Sequence, residues 1–207
     1  MARITGPLMS MDASGAVGGA IVFSKWKGRN YVRRFVVPHN PRSALQVAQR
    51  AVLKFLSEEW ALISIPNQAT WASLAAATNI SPFNAYVSNG LNRNSQLMGP
   101  ADIYPATGAG VAPSAPAITA SGGVHNIGLS IADGANPPGT ALWIYRKLGG
   151  APSGLVSELI AVVPYTSSPT LFSDSPLVPG TYHYKAKGLL ETGLFGTLSA
   201  DANATAT

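Results

Sequence analysis

The sequence predicts an α+β protein of more than one domain: a β-hairpin with three helices, a linker, and an antiparallel β-sandwich. Three observations predict it. Apolar residues recur at helical steps between about Leu45 and Arg93, Gly, Pro, Ala and Ser crowd residues 95–116, and period-two alternation between regular turns fills the remainder. The implied divisions are 1–94, 95–116 and 117–207, each of ordinary domain or linker size.

The hairpin comes first. Gly18 to Trp26 and Tyr31 to Val37 read as strands around a Lys27-Gly28-Arg29-Asn30 turn, where Gly and Asn tolerate positive φ. Alternation puts Val22, Ser24 and Trp26 on one face and Ile21, Phe23 and Lys25 on the other. On the return strand Tyr31, Arg33, Phe35 and Val37 alternate with Val32, Arg34 and Val36. A lone hairpin is marginal in water, so this one requires something to pack against.

Pro38 and Pro41 stop the strand, and Asn40 or Ser43 can cap a helix. Leu45, Ala48, Val52, Phe55, Leu56 and Trp60 then mark one apolar stripe ending near Ile63, with Gln46, Gln49, Arg50 and Lys54 largely off it. Pro66-Asn67 reads as a break. A shorter helix carries Trp71, Leu74 and Ala75, and a third from about Pro82 to Arg93 presents Phe83, Tyr86, Val87 and Leu91. The segment Ser95 to Pro116 reads as an extended linker.

Beyond it, Ile127, Leu129 and Ile131 alternate with Gly128 and Ser130. Leu142 to Lys147, Leu159 to Val163, and Tyr182-Tyr184-Ala186 read as further strands. About seven short strands in roughly 90 residues is a sandwich signature. The run from Val178 through Gly188 and on to Ser199 resembles the last two strands of a fibronectin type III domain, which makes the expected sandwich Ig/fibronectin III-like. In that likeness Tyr182 or Tyr184 is the core tyrosine, while Ile131 stands where tryptophan is usual.

Composition narrows the function classes. Charged residues are only 11% and hydrophobic ones 46%, which argues against disorder and fits a subunit packed among partners. Residues 1–100 carry ten Lys/Arg against three acids, and residues 101–207 carry four against six. There is no cysteine, so disulfides, thiolate chemistry and cysteine zinc sites are excluded. No apolar run approaches the ~20 residues of a spanning helix, and the start lacks a signal-peptide core. The expectation is a protein made in a cytoplasm.

Catalytic sets are not evident. His39, His125 and His183 lack partners at metal-site spacing, and Glu58-Glu59 point in different directions on a helix. Asp133, Glu158, Asp174 and Glu191 fall in predicted turns or on sandwich surfaces. Gly-x-Ser-x-Gly and the phosphate-loop pattern are missing, and Gly15, Gly18 and Gly19 precede a strand instead of joining strand to helix. The expectation is a non-enzyme without cofactor or metal.

The basic hairpin is the candidate site. Lys25, Lys27, Arg29, Arg33 and Arg34 cluster beside Trp26, Tyr31 and Phe35. Trp, Tyr and Arg anchor protein interfaces, and the same mixture can track phosphates and stack on bases. The predicted protein-interface set is Trp26, Lys27, Arg29, Tyr31, Arg33, Arg34, Phe35 and Arg42, with Trp143 and Tyr145 as a candidate display face on the sandwich.

Residues 1–94 resemble a family of tailed-bacteriophage and prophage structural proteins. The resemblance is carried by Gly18-Gly19, Phe23, Trp26-Lys27-Gly28, Asn30-Tyr31-Val32-Arg33, and Asn40-Pro41-Arg42-Ser43 with Gln46 and Arg50. Trp60, Trp71 and Ser81-x-Phe83-Asn84-Ala85-Tyr86-Val87 complete it. It implies a virion component of the head, neck or tail, assembled in the host cytoplasm, whose partners are other virion proteins and copies of itself. A displayed sandwich could also meet a host-surface glycan, with avidity from many copies. Nucleic-acid binding by the basic half is the rival reading.

Overall fold

The computed structural model describes residues 2–3, 15–37, 40, 42–132, 141–165 and 168–207. Pro38, His39, Pro41 and Asp133 lie outside them. The chain divides into two compact units, Met1–Pro41 and Arg42–Thr207. The break therefore falls before the helices, not after them as the composition shift at residues 95–116 implies. The physical reason is a core shared by helices and sandwich.

The first unit is a four-stranded antiparallel sheet. β1 (Ala2–Arg3), β2 (Gly15–Val17), β3 (Ile21–Trp26) and β4 (Arg29–Arg34) lie in the order β1-β4-β3-β2. Gly18 and Gly19, at φ 56° and 65°, form the tight β2–β3 turn, which Ala20 N–H to Val17 O closes at 3.1 Å. The β3–β4 turn is two residues shorter than the four-residue turn that the spacing predicts. Trp26 pairs with Arg29, leaving Lys27 and Gly28 as a two-residue loop with φ 48° and 75°. No described side chain of this sheet is buried.

The second unit opens with α1 (Ala44–Glu59), α2 (Ile65–Thr70), α3 (Ala72–Thr78) and α4 (Pro82–Ser95). Ser43 is the N-cap of α1, without a side-chain cap bond. Ser81 does cap α4, accepting from Asn84 N–H at 3.2 Å. Pro66 opens α2 instead of breaking a helix, because a first-turn N–H has no partner to lose. The predicted second helix is two short ones bent at Trp71. Gln68 Nε2 holds the α1–α2 turn by donating to Trp60 O (2.7 Å) and Ile63 O (3.2 Å). Gly90 lets α4 close on α1, since a Cβ there would lie 2.8 Å from the Leu56 methyls.

Two antiparallel sheets follow. β5 (Ala117–Gly123), β6 (Asn126–Ala132) and β9 (Thr170–Asp174) form one in the order β5-β6-β9. β7 (Ala141–Leu148), β8 (Leu159–Pro164), β10 (Gly180–Leu189) and β11 (Ala202–Ala206) form the other, ordered β11-β10-β7-β8. This is the predicted Ig/fibronectin III-like sandwich. Tyr182 OH donates to Val178 O at 2.9 Å, a tyrosine corner at the start of β10. Tyr184 is the fully buried tyrosine.

β7 separates two cores. Leu142 and Ile144 face the sandwich interior with Ile127, Leu129, Ile131, Tyr184 and Ala186. Trp143 and Tyr145 face the helices with Ala48, Val52, Phe55, Leu56, Trp71 and Tyr86. Segment 96–116 has neither helix nor strand, yet it is tied down. Trp71 Nε1 donates to Asp102 O at 2.9 Å, Asp102 N–H to Glu191 O at 2.7 Å, and Gly108 N–H to Thr192 O at 3.0 Å.

Candidate interaction site

The β3–β4 register sorts the predicted interface residues. Directly opposed residues share a face, so Trp26/Arg29, Ser24/Tyr31 and Val22/Arg33 form one surface. Lys25/Asn30, Phe23/Val32 and Ile21/Arg34 form the other. Trp26, Arg29, Tyr31 and Arg33 therefore stand together and Arg34 stands opposite. Trp26 is 65% exposed, with Lys27 Nζ 4.8 Å from its ring centroid. Phe35 follows β4 and continues the ladder by one bond, donating to Ala20 O at 2.8 Å. It remains exposed, as do Val17, Ile21, Val36 and Val37.

This surface combines flat aromatic area with guanidinium forks, the pairing that recognises carboxylates or phosphates and fills a partner's pockets. The first unit as a whole also holds the entire net charge. Met1–Pro41 carries six Lys/Arg against Asp12 alone, while Arg42–Thr207 carries eight basic and eight acidic residues.

Two predicted residue sets are placed elsewhere. Arg42 belongs to the second unit and is not part of the hairpin cluster. Trp143 and Tyr145 are not a display face, since Trp143 is 0% and Tyr145 3% exposed. The helices cover that side of β7. Trp143 stacks edge-on between Phe55 and Phe195, each with ring centroids 5.2 Å away, and its Nε1 donates to Asn94 Oδ1 at 3.3 Å. The unbroken apolar run Ala141–Tyr145 was the signal, because a strand covered on both faces loses its alternation.

The acids are also less superficial than expected. Asp174 is buried and accepts from Arg146 Nη1 at 2.9 and 2.8 Å and from Tyr184 OH at 2.9 Å, joining β9 to β7 and β10. Glu158 Oε2 accepts the N–H groups of Ser153 (2.6 Å), Gly154 (2.9 Å) and Leu155 (3.2 Å). Burial, with the charges of Glu59 and Glu191, pushes the Asp102 carboxyl up to about 7. Burial alone raises Glu59. Burial also pushes Lys187 down to about 8, with Nζ 3.8 Å from the Phe195 ring centroid and 5.2 Å from that of Tyr145.

His183 Nδ1 lies 2.7 Å from Asp201 Oδ2, and His125 Nδ1 3.1 Å from Leu177 O. Among the described residues no three His, Cys, Asp or Glu are grouped to hold a metal, and no helix is long and apolar enough to cross a membrane.

Fold and surface thus define an α+β protein with a sandwich body and a separate basic sheet. No family model and no curated protein matches the chain. Among solved structures, it is similar to a β-1,2-glucanase from Parabacteroides distasonis at 18% identity and TM-score 0.39. That match covers 46% of this chain and 13% of the glucanase, a small part of that enzyme's length. An Fn3-like protein from Clostridium thermocellum matches at 21% identity and TM-score 0.34, covering 45% and 92%. The fibronectin type III domain of a human fibronectin type III domain containing protein 3 matches at 14% and 0.33, covering 47% and 89%. The sandwich assignment rests on the strand order, not on these likenesses.

Proposed function

We infer that the protein is a non-catalytic structural component of a bacteriophage particle, attached through its N-terminal sheet. The observation that carries this reading is a four-stranded sheet with no buried side chain among its described residues, bearing Trp26, Arg29, Tyr31 and Arg33 on one face. Such a sheet leaves most of its apolar area in water unless a partner covers it. The family resemblance of residues 1–94 supplies the virion setting, with other virion proteins or further copies as partners. The sandwich body then contributes the outward surface. The outer face of β5-β6-β9, with Thr119, Ser121, Leu171 and Ser173 exposed, supports that role.

Trp26, Tyr31, Arg33 and Phe35 act as the anchor. Particles assembled with the Trp26→Ala/Arg33→Ala chain should lack it, while the purified variant unfolds at the wild-type temperature. Wild-type copy number in those particles would remove the anchor assignment. Tight, steeply salt-dependent binding of the wild-type chain to an oligonucleotide, lost in the variant, would instead transfer the face to nucleic acid.

A further inference from the structure

The two sides of the sandwich are finished differently. On one side β11 closes against β5: Thr207 N–H donates to Gly123 O (3.2 Å) and His125 N–H to Thr207 O (2.9 Å). On the other side β8 and β9 are both edge strands, and α1 runs beside β8. Between them lies a groove. Its helical wall is Val47, Arg50, Ala51, Lys54 and Glu58, residues at three- and four-residue steps. Its floor is Ile160 to Pro164 of β8 and Phe172 of β9. Two adjoining hollows share Arg42, Val47 and Ile160 with it, so the groove is continuous along the whole of β8. Six residues of strand make it about 20 Å long.

The charges of this groove are unbalanced. Arg146 is spent on Asp174 and Lys147 lies 3.6 Å from Glu158. Lys54 makes a long, exposed pair with Glu58 at 3.9 Å. Arg42 and Arg50 have no ion-pair partner among the described residues and both are exposed. Arg42 is also held at φ 49°, a conformation that non-glycine side chains rarely adopt and that is common at binding positions.

We propose that this groove takes an extended acidic segment of a partner protein, added as a fifth strand on the edge of β8. The outer edge of β8, which pairs with no strand among the described residues, supplies the ladder bonds. Alternate side chains of the added strand then meet the apolar lining formed by Val47 and Ala51 of the wall and Val163 and Phe172 of the floor, and the others meet Arg42, Arg50 and Lys54. Charge selects the occupant. The N-terminal sheet of a second copy carries +5 and would be repelled, whereas carboxylates on the incoming strand complete the guanidinium groups.

The test uses the full chain and a fluorescein-labelled heptapeptide alternating glutamate and valine, followed by fluorescence anisotropy at low ionic strength. Saturable binding is expected, weakened about tenfold by each of Arg42→Gln and Arg50→Gln. The lysine–valine counterpart and a heptapeptide N-methylated at alternate amides should not bind. Both variants sit at exposed positions, and an unchanged thermal midpoint confirms that the groove is intact. No saturable binding, equal binding by the N-methylated peptide, or affinity indifferent to both arginines would overturn the proposal. So would displacement of the peptide by a thymidine oligonucleotide, which would reassign the groove to phosphate.

Discussion

The N-terminal sheet and the sandwich body are built from similar materials and finished in opposite ways. Both contain antiparallel strands, and each carries a tryptophan at a strand position, Trp26 at the end of β3 and Trp143 within β7. Trp26 is 65% exposed and Trp143 is 0% exposed. The first unit carries +5, and the second is neutral, with equal numbers of basic and acidic residues. A strand's tryptophan thus contributes to stability only where a second layer covers it. Elsewhere the same residue leaves its ring in water.

The largest predicted effect follows from that contrast. Trp143→Ala leaves a hole between Phe55 and Phe195 and should cost about 3–5 kcal/mol of unfolding free energy. Trp26→Ala should move the same transition by no more than about 0.5 kcal/mol. Denaturant titration of the two variants measures both, and comparable losses would erase the distinction between the regions.

A smaller effect sharpens what neutral means in the body. Asp174→Ala strands Arg146 and Tyr184, yet Arg146 keeps part of its side chain in water. The cost should fall below the roughly 3–5 kcal/mol of a fully buried broken pair. Tyr184→Phe removes only a hydroxyl and should cost about 1–2 kcal/mol. If the tyrosine change cost as much as the aspartate change, the network would not be centred on the carboxylate.

The pH profile gives the finest test. Asp102 holds its proton in the folded chain up to about 7 but releases it near 3.8 when unfolded, so its contribution is present below pH 4 and lost as pH rises to 7. Lys187 acts in the opposite sense. Its folded value of about 8 lies below the unfolded 10.5, so stability rises with pH across that window. Asp102→Asn should flatten the acid-side fall, and Lys187→Met the alkaline rise, in thermal midpoints measured from pH 4 to 10. The N-terminal sheet has no buried titratable group among its described residues, so Trp26 fluorescence should not follow either slope.

Much of the fold was legible. The three helical stripes, the hairpin, the sandwich and the Trp26/Tyr31/Arg33 face follow from periods of 3.6 and 2, which are local properties of the chain. Pro66 reads as a break from local pattern, yet it opens α2, and Gly18 reads as the start of a strand, yet with Gly19 it closes the β2–β3 turn. Residues 96–116 looked like a free linker because their composition has no period. Their order comes from long-range bonds such as Trp71 Nε1 to Asp102 O, which composition does not register. The groove beside β8 was illegible for a related reason: Arg42, Arg50, Ile160 and Phe172 are far apart in sequence and meet only across layers.

By itself, the sequence determined the hairpin, the main helical stripes and the sandwich, the lack of any thiol in these residues, and which side chains share a face of the hairpin. Tertiary structure decided which faces are covered. Alternation distinguishes the two sides of a strand but does not say what lies above either. Placing helices over Trp143 and Tyr145 while leaving Trp26 in solvent turned one aromatic set into core and left the other exposed.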